Sequence, residues 1–390
     1  MRRVRKKKRK NNMWVGAVLS GSLIIASLIL FMNMYESANA SPVVHNEKNV
    51  SPRALGVESK SYEQTITLGA IGDILIHDWV YEDAQTGNGY DFHPMFEQVS
   101  ATLSQPDILL ANQETILGGV ELGISSYPMF NSPVEIGSAI KDAGVDIVST
   151  ANNHSLDKRE KGLLTSLTNL DQLGIPSVGT YSSAEDQQTL TMMEKNGIKV
   201  AYLSYTYGTN GMPIPEGKDY LVNLIDKEAM KSEIHRAREA ADITVMSIHW
   251  GNEYQRFPTD EQEELAQFLV DEGVDIIFGH HPHVLQPMEW LKASDGRQAL
   301  VVYSLGNFLS GQMRDYKDIG GMASIRVTKQ INSDGTSIRL SEPGFFPTYV
   351  SNQRLQNYRV VPLQDAGNFG MSNAESKYNE ILTHMTNNLK

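Results

Sequence analysis

The chain has 390 residues, ten histidines, no cysteine and a formal net charge of −12. A hydrophobic content of 41% with 21% charged residues is typical of one or two globular domains, and excludes a disordered chain or a multi-span membrane protein. The absence of cysteine excludes disulfides, cysteine-ligated zinc, a thiol nucleophile and a lipid anchor on cysteine.

Positive charge is concentrated at the amino terminus. Eight of the 34 Lys and Arg residues lie within residues 1–10, which contain no acid, so the rest of the chain is near −20. An apolar segment without charges follows at residues 13–35, about the ~20 residues that a helix needs to cross a bilayer. Because Lys and Arg stay on the cytoplasmic side of a span, we predict a cytoplasmic flank (1–12), a single-pass membrane anchor and an extracellular main domain.

Two other interpretations of this region exist. The small-x-small pattern Ala38-Asn39-Ala40 is also compatible with a cleaved signal peptide, although the apolar segment is long for one. A basic arm can bind nucleic acid, but the adjacent apolar segment explains the charge better, so no nucleic-acid partner is expected. Residues 36–62 are poor in apolar residues and are predicted to be a linker.

From residue 63 onward, short apolar runs alternate with amphipathic stretches. The predicted strands are 65–71, 107–111, 145–150, 176–179, 199–205, 243–248, 274–278 and 299–304, and the predicted helices are 134–143, 158–173, 227–240 and 259–272. This alternation predicts an α/β domain over residues 63–362 with a sheet that is at least partly parallel. A hairpin is predicted from 323–328 to 337–340 around Ser333-Asp334-Gly335, and a polar, weakly ordered helical tail is predicted over 363–390.

Five of the predicted strands end in side chains that can bind a metal ion. These ends read Gly72-Asp73-Ile74-Leu75-Ile76-His77, Asn112-Gln113-Glu114, Asn152-Asn153-His154-Ser155-Leu156-Asp157, His249-Trp250-Gly251-Asn252-Glu253 and Gly279-His280-His281-Pro282-His283. Ligands of open α/β sheets bind beyond the carboxyl ends of the strands, so we expect these side chains to converge. Oxygen and nitrogen donors without sulfur suit Mn, Fe or Zn, and their number predicts two divalent ions.

Each of these residues also has an ordinary structural interpretation. An Asp after a strand is usually a turn or cap residue, Asn152-Asn153 is a good turn dipeptide, and His249 alone could be a satisfied buried histidine. Three histidines within residues 279–283 are harder to explain structurally, because a buried strand end gains no stability from three imidazoles. The joint pattern therefore favours a metal site.

The order of these motifs, followed by Tyr303-Ser304-Leu305-Gly306-Asn307-Phe308, resembles the CapA/PgsA family of bacterial capsule proteins over about residues 65–315. The resemblance implies the fold of calcineurin-like metallophosphoesterases, a four-layer αββα sandwich. It also implies a role in synthesis, export or attachment of an anionic polymer such as poly-γ-glutamate. The implied partners are the membrane-bound subunits that synthesise and export the polymer.

The resemblance also implies roles for individual residues. Metal ligands are expected at Asp73, Glu114, Asn153, His249, His281 and His283, with Glu114 bridging, and His154 is expected to protonate a leaving group. His77, Asn112 and His280 are neighbouring candidates without an assigned role. Two departures are evident: Leu75 occupies the histidine position of the Asp-x-His motif, and Glu114 replaces a bridging aspartate with an arm one methylene longer.

Two functions remain open at this point. The cluster of candidate ligands favours a metal-dependent hydrolase acting on a phosphoester or an amide during polymer processing. The amino-terminal anchor and the incomplete Asp-x-His motif favour a non-catalytic accessory of a membrane polymer synthase. The charge near −20 fits a polyanion-binding groove only if metals or a local basic patch such as Lys158-Arg159 compensate.

Overall fold

The computed structural model describes residues 61–389. The predicted basic flank (1–12), the predicted membrane anchor (13–35) and nearly all of the predicted linker (36–62) lie outside the described residues. None of the helices within residues 61–389 combines the length and the apolar character needed to cross a bilayer.

The described part of the chain alternates strands and helices. The strands are β1 Tyr62–Leu75, β2 Gln85–Thr86, β3 Gly89–Tyr90, β4 Ile108–Gln113, β5 Ile147–Ser149, β6 Ser177–Val178, β7 Thr191–Lys195, β8 Ile198–Thr206, β9 Ile243–His249, β10 Ile276–His280, β11 Leu285–Lys292, β12 Gln298–Leu305, β13 Asn307–Ser310, β14 Ile319–Asn332, β15 Gly335–Ser351 and β16 Arg359–Pro362. The helices are α1 Asp78–Asp83, α2 Ser100–Leu103, α3 Glu135–Asp142, α4 Arg159–Leu173, α5 Ala184–Gln188, α6 Lys227–Ala240, α7 Asp260–Glu272 and α8 Ala374–Thr386. Short 3-10 helices cover His93–Met95, Val120–Leu122, Asp219–Leu221 and Leu363–Phe369.

Within the described residues β2 and β3 form a small two-stranded sheet, and the other strands form two mixed sheets. The first has the order β16-β15-β14-β1-β4-β5-β6, with β13 paired to the end of β1, and the second has the order β11-β12-β10-β9-β8-β7. In the first sheet β1, β4, β5 and β6 are parallel, whereas β14, β15 and β16 continue it in antiparallel fashion. In the second sheet β8, β9, β10 and β12 are parallel, and β7 and β11 are antiparallel edge strands. The predicted mixed α/β class is confirmed.

The sheets pack face to face, with helices on their outer faces. Apolar side chains of both sheets, such as Leu68 and Leu110 of the first and Val245 and Phe278 of the second, share one buried core. The outer face of the first sheet packs on α3 and α4, and the outer face of the second packs on α6 and α7. The central parallel strands are therefore covered on both sides, which explains their nearly continuous apolar sequences.

The carboxyl-terminal segment differs from the sequence-based expectation. Residues 363–390 were expected to be a polar tail outside the domain, but Ile381 and Met385 of α8 are fully buried in the core that both sheets share. Apolar residues spaced four apart on one face of this helix dock it against the domain. The predicted hairpin around residues 333–335 is present, with Asn332 paired to Gly335 at the turn between β14 and β15.

Candidate metal centre

Parallel strands from both sheets end at one edge of the sandwich, and this edge carries the candidate site. Asp73 lies near the end of β1, where the pairing register of β1 shifts against both β4 and β13. A Cβ at Gly72 would lie only 1.9 Å from the Gly306 carbonyl oxygen, so only glycine permits this close approach. The bulge and the tight contact direct the Asp73 carboxylate toward the neighbouring strand ends.

Asp73 is fully buried and surrounded by donors. Asn112 Nδ2 donates to Asp73 Oδ1 at 2.8 Å, His283 Nδ1 donates to Asp73 Oδ2 at 3.1 Å, and His280 Nδ1 lies 3.4 Å from Asp73 Oδ1. Burial raises the pKa of Asp73, but the neighbouring imidazoles of His280 and His283 outweigh it and hold the pKa well below the usual range. Asp73 is therefore an anion anchored between the two sheets.

Glu114 is a buried carboxylate that lacks hydrogen bonds. Within residues 61–389, neither of its oxygens has a hydrogen-bond partner, although His249 Nε2 lies 3.5 Å and His283 Nε2 3.8 Å from Oε1. Burial, together with the negative charge of Asp73, raises the pKa of Glu114 well above its usual range. An unpaired buried carboxylate is costly, and a bound cation is the partner that would remove this cost.

His249 at the end of β9 and the histidines after β10 lie beside Glu114. Burial lowers the pKa of His249 well below its ordinary value and lowers that of His281 to about 3, so both rings are neutral and able to ligate. Burial opposes the charged form of His283, but the charges of Glu114 and Asp73 raise its pKa to about 9. The φ angles of His281 and His283 are 94° and 57°. Residues other than glycine rarely adopt such positive φ angles.

Asn153 and His154 follow β5 and approach this group from the side. Asn153 Oδ1 accepts a hydrogen bond from His249 Nε2 at 3.0 Å. His154 Nδ1 donates to Asp157 Oδ2 at 2.7 Å, and the same oxygen accepts from Phe130 N at 2.6 Å. Because Nδ1 is used in this way, Nε2 is the ring nitrogen of His154 that remains for proton transfer.

The structure also places the three neighbouring candidates. His77 turns away: its Nδ1 accepts a hydrogen bond from Gly311 N at 3.2 Å, and its ring packs against Trp79 and Phe130. Burial lowers the pKa of His77 to about 4. Asn112 orients Asp73, and His280 lies beside Asp73 with both ring nitrogens free of hydrogen bonds within the described residues.

Three sets of side chains bring ligand atoms within 4.8 Å of one another. They are Asp73 with Glu114 and His283, Glu114 with His249 and His281, and Glu253 with His281 and His283. The first two sets share Glu114, as a bridging carboxylate would. All donors are oxygen or nitrogen, and several are buried without partners, so the residues present fit a pair of divalent ions.

Three further residues at this edge received no role from the sequence, although two of them, Glu253 and Asn307, stand within the motifs described above. Asn307 Oδ1 lies 3.1 Å from His283 Nδ1, the Tyr207 ring lies 4.7 Å from that of His281, and Glu253 lies beside His281 and His283. Glu253 occurs in a polar run after β9, which was a usable signal, whereas Asn307 stands between Gly306 and the apolar Phe308-Leu309. Tyr207 follows β8 in a loop whose sequence carries no such signal.

The fold and the buried donors define a mixed α/β protein with a candidate two-metal centre. The chain belongs to the family described as bacterial capsule synthesis protein PGA_cap, whose model matches residues 67–312. The resemblance deduced from the motifs is thereby confirmed.

Similar proteins include two curated capsule proteins from bacilli. The chain is 28% identical to the capsule biosynthesis protein CapA of Bacillus anthracis over 79% of this chain and 71% of that protein. It is 29% identical to the PGA biosynthesis protein CapA of Bacillus subtilis strain 168 over 65% of this chain and 66% of that protein. Among solved structures, calcineurin-like phosphoesterase YfkN from Bacillus subtilis aligns with a TM-score of 0.43 and 15% identity, covering 82% of this chain and 99% of that chain.

Proposed function

We propose that this protein is a membrane-anchored extracellular component of capsule polymer synthesis or export whose main domain carries a two-metal, hydrolase-like centre. Membership of the PGA_cap family and similarity to proteins named for capsule and PGA biosynthesis support the biological role. The basic flank followed by an uncharged apolar segment supports the anchor, with the amino terminus in the cytoplasm. The proposed partners are membrane-bound synthase and export subunits and an anionic polymer such as poly-γ-glutamate.

One observation carries the proposal for the centre: Glu114 is buried, has no hydrogen-bond partner within the described residues, and is shared by two sets of possible ligands. Asp73, Glu114 and His283 would hold one ion, and Glu114, Asn153, His249 and His281 the other. Manganese, iron and zinc all suit these donors. When bound, such ions supply Lewis acidity toward a phosphoryl or carbonyl oxygen.

The chain's own residues then have distinct tasks. His154 would deliver a proton to a leaving group, and its hydrogen bond from Nδ1 to Asp157, which leaves Nε2 for the reaction, supports this role. Burial of His154 and Asp157, which are 5% and 1% exposed, keeps bulk water from competing for that proton. The reaction that fits this arrangement is hydrolysis of a phosphoester or an amide during polymer processing.

A second function, a non-catalytic accessory of the polymer synthase, is favoured by one specific observation. Leu75 occupies the place of the histidine in the Asp-x-His motif, and within the described residues His77 belongs to none of the sets of possible ligands. On this view the domain guides polymer or holds the synthase, and the metal centre has a structural role.

Metal analysis of the purified full-length chain tests the proposal. We expect about two transition-metal ions per chain, fewer in His281→Ala, and an unchanged content in His235→Ala, which removes an exposed histidine paired with Glu272 on the surface. In cells, His281→Ala should reduce polymer output. A metal-free wild-type chain together with normal output from His281→Ala would reject the enzyme and leave the accessory. In that case deletion of residues 1–35 should still abolish function.

A further inference from the structure

Glu253 is a carboxylate at the metal edge that the ligand assignment above leaves without a role. It follows β9 by four residues, and its side chain is exposed, unlike those of Asp73 and Glu114. One of its oxygens lies within 4.8 Å of ligand nitrogens of both His281 and His283. Within residues 61–389 no Lys, Arg or His forms an ion pair with it at 4.0 Å or less, and its negative charge is among the causes that raise the pKa of His283.

The loop that carries Glu253 is bound to the histidine turn on both sides. Trp250 N donates to His280 O at 3.2 Å, and Tyr254 N donates to Pro282 O at 2.7 Å. The Trp250 indole additionally donates to Tyr303 O at 2.9 Å and ties the loop to β12. These bonds hold the backbone of residues 250–254 beside residues 280–283, so the position of Glu253 over the histidines follows from the fold.

The ligand set without Glu253 lacks one donor, and Glu253 lies close enough to supply it. The end of β1 offers Asp73 but no histidine ligand, because position 75 is leucine and His77 belongs to none of the ligand sets found within the described residues. His281 and His283 each belong to one set with Glu114 and to another with Glu253. Glu114 reaches these two histidines from the buried interior, whereas Glu253 reaches them from the solvent.

We propose that Glu253 is a metal ligand that completes the centre from the solvent side and compensates for the histidine missing after β1. This inference rests on the proposed function, since it requires that the centre binds metal. A third carboxylate brings the negative charge facing two divalent ions to three and adds a hard oxygen donor. Hard oxygen donors favour manganese, so Glu253 should matter more for Mn²⁺ than for Zn²⁺.

The test is titration calorimetry of Mn²⁺ and Zn²⁺ into the full-length chain after chelation, comparing wild type with Glu253→Gln, Glu253→Asp and Glu264→Gln. Glu264 is an exposed glutamate of α7, so its variant is a matched charge control. We expect Glu253→Gln to raise the Kd of one Mn²⁺ site at least tenfold or to remove it, with a smaller change for Zn²⁺. Glu253→Asp should recover part of the affinity, and Glu264→Gln should behave as wild type.

Thermal unfolding supplies a second readout that does not depend on activity. Because Glu253 is exposed, the metal-free Glu253→Gln chain should unfold at the wild-type temperature, while the increase in Tm produced by Mn²⁺ should be smaller. If wild type binds metal and Glu253→Gln binds it with the same number and affinity, the role of Glu253 is overturned and the two-metal centre stands. If wild type binds neither metal, the centre and the role of Glu253 are both rejected.

Discussion

The two edges of the sandwich use carboxylates in opposite ways. Where the parallel strands begin, four aspartates each precede a strand and accept a hydrogen bond of 2.8 or 2.9 Å from a backbone N–H of the adjacent strand: Asp107 from Thr67, Asp146 from Leu109, Asp242 from Lys199 and Asp275 from Thr244. Each aspartate also donates its own N–H to the carbonyl oxygen of that same residue. This arrangement occurs in both sheets and fixes the register of neighbouring strands.

Where the strands end, Glu114 is buried and both of its oxygens lack hydrogen bonds within the described residues. The difference shows that an acidic residue at a strand boundary is not by itself evidence of a site. A carboxylate whose oxygens are bonded to the backbone stabilises the fold, whereas a buried carboxylate without partners is arranged for a ligand.

Removing the charge of Glu114 is expected to have the largest effect. Glu114→Gln keeps the size of the side chain but loses the anion that two ions would share, so metal affinity should fall by about 100-fold or more, equivalent to about 2.7 kcal/mol. The metal-free variant should be at least as stable as wild type, because a carboxyl group whose pKa is raised on folding destabilises the folded chain at neutral pH. Calorimetric titration and urea unfolding measure these two quantities.

Asp275→Asn, at the opposite edge, is the matched charge control for this substitution and should leave metal affinity unchanged. A metal-free Glu114→Gln chain that is clearly less stable than wild type would show that Glu114 has an undetected structural partner. The carboxylates at both edges would then have structural partners, and the contrast between the edges would be wrong.

Asp157 sharpens the distinction, because it lies at the metal edge but has hydrogen-bond partners. Asp157→Asn weakens the acceptor of His154 Nδ1 and permits the wrong tautomer. For the hydrolase proposed above, kcat should therefore fall roughly 10- to 100-fold with little change in KM or metal content. Hydrolysis of a phosphodiester such as bis(p-nitrophenyl) phosphate, measured across pH, is the assay. Equal loss of metal and activity would instead assign Asp157 to the support of the metal centre.

Asp275→Ala tests the structural edge directly. Thr244 is only 1% exposed, and its backbone N–H would lose the Asp275 carboxylate that accepts its hydrogen bond. Arg297 would lose its ion pair with Asp275, which has a distance of 3.1 Å. We expect a loss of about 1–3 kcal/mol in the free energy of unfolding, measured in urea, with unchanged metal affinity. A fall in metal affinity comparable to that of Glu114→Gln would contradict the separation of the two edges.

Sequence patterns predicted the central strands and most of the site because apolar runs followed by Asp, Asn or His are local features. The polar run after β9 contains Glu253 but did not single it out as a ligand, because Glu253 reaches the site only through the backbone bonds that hold residues 250–254 beside the histidine turn. The sequence also did not predict that α8 docks on the domain, because the buried Ile381 and Met385 stand in a segment that is otherwise mostly polar. His77 is an opposite case: it lies close to Asp73 in sequence, but its ring nitrogen Nδ1 is bound to Gly311 N. Proximity in sequence therefore does not decide which group a side chain contacts.

The smallest expected effect is a pH dependence at the structural edge. Burial raises the pKa of Asp275, and the bond from Thr244 N and the positive charges of Arg297 and Arg238 offset this only in part. Because the folded chain then holds this proton more tightly than the unfolded chain, the group stabilises the fold at low pH, and that contribution is lost as pH rises from about 3.8 through the raised pKa. Asp275→Asn does not titrate, so the unfolding free energy of wild type relative to this variant should decrease as pH rises. Urea unfolding of both chains from pH 4 to 7 measures this difference, and an increase with pH would mean that the ion pair with Arg297 outweighs burial.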